Sequence, residues 1–206
     1  MSCFWERGFA ATSLRDLTGR MGIAGPSLYN AFGDKRALYE KALDHYCRTA
    51  TDKLIARIEE QYPPEERIAE LFATVVELAA TDRKRRGCLL INSALEVAPH
   101  DAEMRRVIAL HLGAVRSFFA RSLADARRGR GRKPVLSSHE AADNLMAVLI
   151  GLRVLARSAP ERAMLESIVA AALKPLGLVD AWQRRRRVAA ISGRPVKRGQ
   201  AQVSRS

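Results

Sequence analysis

The stretch from Thr12 to Tyr46, TSLRDLTGRMGIAGPSLYNAFGDKRALYEKALDHY, decides how this chain folds. Ser13 followed three residues later by Asp16 is the pattern of a capping box, and Leu14, Leu17 and Met21 then recur on one helical face. A first helix of about two turns follows. Gly22 is the residue type that turns left-handed after a helix end, Ile23 is an apolar plug, and Gly25-Pro26 sets proline where a new helix begins. The second helix starts at Pro26, with Leu28, Ala31 and Phe32 on one side and Ser27, Tyr29 and Asn30 on the other. Gly33 ends it and Asp34 caps a third helix. This spacing makes a compact helix-turn-helix unit whose outer side is polar, short and aromatic, as a groove-reading surface would be.

The run Gly8-Phe9, Thr12-Ser13-Leu14, Leu17, Met21-Gly22-Ile23, Ser27-Leu28-Tyr29, Phe32-Gly33, Lys35 and Leu38 resembles the DNA-binding half of TetR/AcrR-type transcriptional regulators nearly position for position. The resemblance implies an all-α homodimer whose Pro26 to Phe32 helix enters the major groove of a double-stranded operator. It also implies a helical body around a small-molecule pocket, where binding changes the spacing of the two heads. Tyr29, Lys35 and Thr12 match positions that contact phosphates in similar regulators. Ser27 and Asn30 are candidates for base edges, since asparagine pairs with adenine and a serine hydroxyl suits either partner. The structural alternatives are that Tyr29 packs between helices and Thr12 caps one. No arginine sits on the second helix, so the commonest guanine contact is absent.

A chain of 206 residues holds a small head attached to a larger body. We expect a DNA-binding head over residues 1–47, a helical ligand-binding and dimerisation body over 48–180, and a basic, disordered tail over 181–206. The formal charge of +13 invites a nucleic-acid partner, yet after Asp180 there are eight Lys or Arg residues and no acid, leaving 27 basic and 22 acidic residues before it. The head is nearly balanced, with six basic and five acidic residues up to Cys47, so phosphate contacts there must be few and well placed. Cys3, Cys47 and Cys88 are an odd set without paired spacing, which fits ordinary buried or half-buried thiols in a reducing cytoplasm. No secretory signal precedes the fold, and the longest apolar stretch, Leu145 to Leu152, is far shorter than the roughly 20 residues that span a bilayer. The expectation is a cytoplasmic protein with no membrane contact.

The body reads as helices. One runs from Lys35 to about Gln61, stopped by Pro63-Pro64, and a second carries Ile68, Leu71, Phe72, Val75 and Leu78 up to the charged break at residues 83–87. Residues 88–98 are apolar on most sides, and Asp101 caps a long amphipathic helix bearing Met104, Val107, Ile108, Leu112, Val115, Phe118, Phe119 and Leu123. A glycine- and arginine-rich loop over 129–134 follows. The helix around Leu145, Leu149, Leu152 and Leu155 is apolar all round and must be covered on both sides. Its partner after Pro160 carries Leu165, Ile168, Val169 and Ala172 on a broad face. One face of the pair serves the monomer and the other a second subunit, in a four-helix dimer interface. Phe72, Leu90, Ala94, Phe118, Phe119 and Met146 are the candidates to line an effector pocket, with plain core as the alternative.

Several features carry no chemistry. His45, His100, His111 and His139 lack metal-ligand spacing, so no metal is expected. Neither a Ser, His and Asp grouping, a phosphate-binding glycine loop nor a paired-carboxylate motif appears, so neither an enzyme nor a cofactor site is indicated. Glu96, an acid in a mostly apolar helix, is expected to pair with a body arginine rather than with a cationic ligand.

Similar regulators begin with a full helix across the helix-turn-helix, and Met1 falls where the middle of that helix should be. The remaining stub, with Phe4 near its end and Phe9 beyond it, is expected to be too short to cover Leu17, Leu28 and Phe32. An in-frame extension upstream of Met1 is the corresponding expectation. Two alternatives stay open: a dimeric ligand-binding protein with a defective DNA head, and a nucleic-acid binder that works through Arg184 to Arg187 and the basic tail.

Overall fold

The computed structural model describes residues 1–128, 136–158 and 161–192, with side chains of the last helix described to Arg187. The described residues contain helices and no strand. The head comprises α1 (Ser2–Arg7), α2 (Leu14–Met21), α3 (Gly25–Phe32) and α4 (Lys35–Tyr46). The Ser13–Asp16 capping box forms in both directions, with Asp16 N donating to Ser13 Oγ at 3.1 Å and Ser13 N donating to Asp16 Oδ2 at 2.9 Å. Gly22 closes α2 at φ 67°, a left-handed conformation that glycine adopts without steric cost. Asp34 caps α4 by accepting from Ala37 N at 2.7 Å.

The helix expected from Lys35 to Gln61 is continuous but not uniform. After α4 the chain makes a π-helical stretch over Cys47–Asp52 and returns to α-geometry in α5 (Lys53–Gln61). Then come α6 (Pro64–Thr81), α7 (Leu89–Glu96), α8 (Ala102–Arg127), α9 (Ser138–Leu155), α10 (Arg162–Leu173) and α11 (Val179–Ser192). By length and composition alone α8 could cross a membrane, but its Met104, Ile108, Val115, Phe118, Phe119 and Leu123 are buried within the body, as in a core helix.

Two hydrophobic cores form. The body core gathers Ile58, Ile68, Phe72, Phe118, Leu145 and Trp182 from α5, α6, α8, α9 and α11, together with α10. The second core unites Phe4, Leu17, Leu28, Tyr39 and Leu43 of the head with Leu89, Leu90 and Met104 of α7 and α8. The head is therefore seated on the body through shared apolar packing, and residue 47 is not a boundary between cores. Leu17 and Leu28 are 3% and 0% exposed and share a core with Phe4 of the short α1, which is itself 1% exposed, so they are covered, contrary to the expectation. Phe32 is only half-buried. Met21, placed by periodicity on the inner face of α2, is exposed.

The segment from 181 departs from the disordered tail anticipated for it. Residues 179–192 are helical, Ala181 and Trp182 are buried in the body core, and the arginine run lies against acids. Arg184 pairs with Glu66 at 3.1 Å, Arg185 with Glu70, and Arg186 with Glu166. Composition alone missed this because one tryptophan supplies the anchor that the polar run lacks. Residues 193–206 lie outside the described residues, as does the loop expected over 129–134.

Candidate nucleic-acid interface

The outer surface of α3 is built by one buried anchor and three exposed neighbours. Leu28 is fully buried in the shared core, which fixes the rotation of the helix about its axis. Ser27, Tyr29 and Asn30 then face outward, with Tyr29 49% exposed rather than packed between helices. Ala31, expected on the inner side, is exposed too. A phenol, a hydroxyl and a carboxamide on one short helix can donate to phosphates and to base edges.

Lys35, at the first residue of α4, is brought to the same end of the head. Its Nζ donates to Ala10 O at 3.5 Å and lies 4.5 Å from the centroid of the Phe9 ring. Thr12 is not with this group. It is 0% exposed, and its Oγ1 donates to Gly8 O at 2.6 Å, so the hydroxyl locks the turn between α1 and α2 instead of facing outward. Ser13, its neighbour, is the cap.

The turn that Thr12 locks is tied to the body by a residue whose role the sequence did not reveal. Among the described residues Glu96 makes no pair with a body arginine; its carboxylate accepts from Phe9 N at 3.0 Å and from Ala10 N at 2.8 Å. A second tie joins Arg36 of α4 to Asp101, with Arg36 Nε donating to Oδ2 at 2.5 Å and Arg36 Nη2 reaching Glu103 at 2.8 Å. The Arg36 guanidinium, with amides of the α8 first turn, holds the Asp101 carboxyl down at about 2. A third tie is buried, between the hydroxyls of Tyr39 and Ser93 at 2.7 Å, and burial pushes the Tyr39 phenol above its ordinary value. The only advance signal for these ties was an acid set in an apolar helix and a glycine after a short one.

The effector-pocket candidates do not form one group. Phe72, Phe118 and Phe119 stack and tilt against one another in the body core, at centroid separations of 5.8 and 5.7 Å, and Met146 packs on the same cluster. Leu90 and Ala94 belong to the other core, because α7 turns toward the head. The dimer candidates divide in a similar way. Leu145, Leu149, Leu152, Leu165 and Val169 are buried inside the single chain, covered by α6, α8 and the unforeseen α11, while Leu155, Ile168 and Ala172 are half-buried. The large apolar residues of this helix pair that stay exposed are Val154 at 42% and Met164 at 45%. All three cysteines are buried, and burial pushes the Cys47 thiol well up, so it is a poor nucleophile.

Comparison with known proteins agrees with this architecture. Residues 1–42 match the family described as bacterial regulatory proteins, tetR family, and residues 64–172 match the tetracyclin repressor-like C-terminal domain. The chain belongs to the TetR family. Among solved structures, it is similar to a cysteine mutant of the TetR family transcriptional regulator CifR complexed with 26-bp double-strand operator DNA. That match has a TM-score of 0.73 and 30% identity, and covers 84% of this chain and 90% of that one. It is 27% identical over 179 residues to the HTH-type transcriptional repressor ComR of Escherichia coli (strain K12), covering 82% of this chain and 80% of ComR. It is also 36% identical over 103 residues to the HTH-type transcriptional regulator YezE of Bacillus subtilis (strain 168). That match takes in 50% of this chain and about half of YezE, 53%.

Proposed function

We propose that this TetR-family chain is a homodimeric DNA-binding repressor that a small molecule releases from its operator. The observation that carries the reading is the outward face of α3, where Leu28 is buried and Ser27, Tyr29 and Asn30 stand exposed, with no side-chain hydrogen bond among the described residues of the kind that occupies Thr12. The likeness to CifR, solved with operator DNA, and to the repressor ComR supports it. Ser27 and Asn30 read base edges, while Tyr29 and Lys35 hold phosphates. Thr12 positions the turn and leaves the DNA contacts to the others.

Two copies are needed because one α3 reads only a half-site, and two-fold symmetry places the second about one helical turn away. The exposed Val154 and Met164 of α9 and α10 mark the face for the second copy. We assign the effector to the body among α6, α8 and α9, at the apolar cluster of Phe72, Phe118, Phe119 and Met146. The alternative in which the basic run at Arg184 to Arg187 carries nucleic-acid binding has less to stand on, since three of the four guanidinium groups are engaged by Glu66, Glu70 and Glu166.

Selection of bound fragments from a pool of random double-stranded DNA tests the reading. The wild-type chain should enrich a two-fold symmetric site, and Asn30→Ala should relax the preference at one base pair in each half-site. Enrichment of no sequence, or the same logo from both proteins, would refute the assignment.

A further inference from the structure

The three polar side chains of α7 are all committed, and each has a partner outside its own helix, although Ser93 Oγ also donates to Leu89 O within it at 2.7 Å. Asn92 Nδ2 donates to Arg86 O at 2.8 Å, Ser93 shares a hydrogen bond with Tyr39 of α4, and Glu96 takes two amides of the α1–α2 turn. The Glu96 contact is fitted from both sides. Gly8 has φ +85°, which L side chains rarely adopt, and a Cβ built on it would lie 2.6 Å from Glu96 Oε2, so a side chain at position 8 would strain the backbone and push the Glu96 carboxylate off the turn. The amides that Glu96 holds flank the very groups that hold Lys35: Ala10 offers its carbonyl to Lys35 Nζ, and Phe9 its ring face.

We propose that Glu96 is a positioning residue for DNA binding, through which body helix α7 sets the place of Lys35 by fixing the backbone of residues 8–10. This rests on the DNA-binding reading above. The chain of contacts runs from the Glu96 carboxylate to the Phe9 and Ala10 amides, through the Ala10 peptide and the Phe9 ring, to the Lys35 ammonium. Because α7 also keys Tyr39 of α4, a displacement of α7 alters both the turn and the helix that begins with Lys35. Ala10 is exposed and Glu96 half-buried, so water can reach at least the Ala10 side of the contact when the carboxylate is removed, and the contact governs geometry more than folding.

The test is a double-mutant cycle on the intact chain, using the DNA site that the wild type enriches from random sequence. Affinity is read by fluorescence anisotropy over a range of KCl concentrations for wild type, Glu96→Ala, Lys35→Ala and the double variant. Glu96→Ala should weaken binding about tenfold and lower the salt slope by about 0.9, the value for one phosphate contact, as Lys35→Ala does. The double variant should be no more than about twofold weaker than Lys35→Ala alone. Additive losses, with the salt slope of Glu96→Ala unchanged, would overturn the proposal while leaving DNA binding intact. A wild type that enriches no site would instead overturn the DNA-binding reading, and this proposal with it. Glu96→Gln, which keeps one acceptor and presents an NH2 group to the second amide, gives a conservative second arm and should show a partial loss of the same kind. Amide hydrogen exchange provides a readout without DNA: exchange at Phe9 and Ala10 should quicken at least tenfold in Glu96→Ala, while α2 and α3 stay protected. Unchanged exchange there would contradict the proposed link.

Discussion

The arginine run of α11 and the outer face of α3 differ in the direction opposite to their charge. Arg184 to Arg187 is a run of four consecutive cations, yet three of its members are answered by acids of α6 and α10, and its neighbour Trp182 is sunk in the body core. The face of α3 carries no formal charge, yet Ser27, Tyr29 and Asn30 stand exposed. An interface is marked by groups whose hydrogen-bonding capacity the fold leaves unspent, and a count of charges does not identify them. The same contrast holds within the head, where Thr12 has spent its hydroxyl on Gly8 O and Tyr29 has not.

The largest expected effect breaks the α11 side of the comparison. Trp182→Ala should destabilise the chain by about 3–5 kcal/mol, the usual cost of deleting a large aromatic from a core. Denaturant unfolding measures it, and a loss below 1 kcal/mol would mean that α11 is not docked as described. Next comes the α3 side: Asn30→Ala should cost about 1–3 kcal/mol of discrimination at one base pair and leave stability within about 0.5 kcal/mol. Loss of stability without loss of discrimination would place Asn30 among the structural residues.

The comparison extends to the two sides of α9. Leu152 is 1% exposed and Val154 is 42% exposed. Leu152→Asp should prevent stable folding by burying an unpaired charge, whereas Val154→Asp should leave a folded chain that sediments as a monomer at micromolar concentration. A folded dimer from the second variant would move the subunit interface elsewhere.

The smallest effect concerns acid. Asp16 and Asp101 are both held down at about 2, Asp16 chiefly by the Ser13 hydroxyl and amide, and Asp101 chiefly by Arg36. Carboxyls depressed in the fold contribute stability that is present above their unfolded value near 3.9 and lost as pH falls through the folded value. Melting temperatures should therefore drop between about pH 4 and pH 2, and Asp16→Asn should flatten that drop. An identical acid profile in the variant would show that the capping box does not contribute.

Much of the head was legible because its signals are local. The capping box, the left-handed Gly22, Pro26 in the first turn and the Asp34 cap each depend on residues within four positions, and each is found. The outward turn of Ser27, Tyr29 and Asn30 followed from Leu28 by helical geometry alone. What the residues did not disclose depends on distant partners. Glu96 lies more than eighty positions from the amides it holds, so nothing near it distinguishes a carboxylate bound for an arginine from one bound for a turn. The α9 and α10 leucines were assigned to a second subunit, whereas Leu145, Leu149, Leu152, Leu165 and Val169 are buried within the single chain, and α11, hidden within a polar run and packed on α6 and α10, had not been recognised. Thr12 shared the resemblance of its neighbours, but its burial is decided by the turn at Gly8.

The most direct measurement of the central claim is the salt dependence of binding to the enriched DNA site between 50 and 200 mM, comparing Lys35→Ala with the pair Arg184→Gln and Arg186→Gln. If the head is the interface and α11 a structural helix, Lys35→Ala lowers the slope of log affinity against log salt by about 0.9, and the arginine pair leaves it unchanged. A slope that falls by about 1.8 in the arginine pair and stays at the wild-type value in Lys35→Ala would contradict the account.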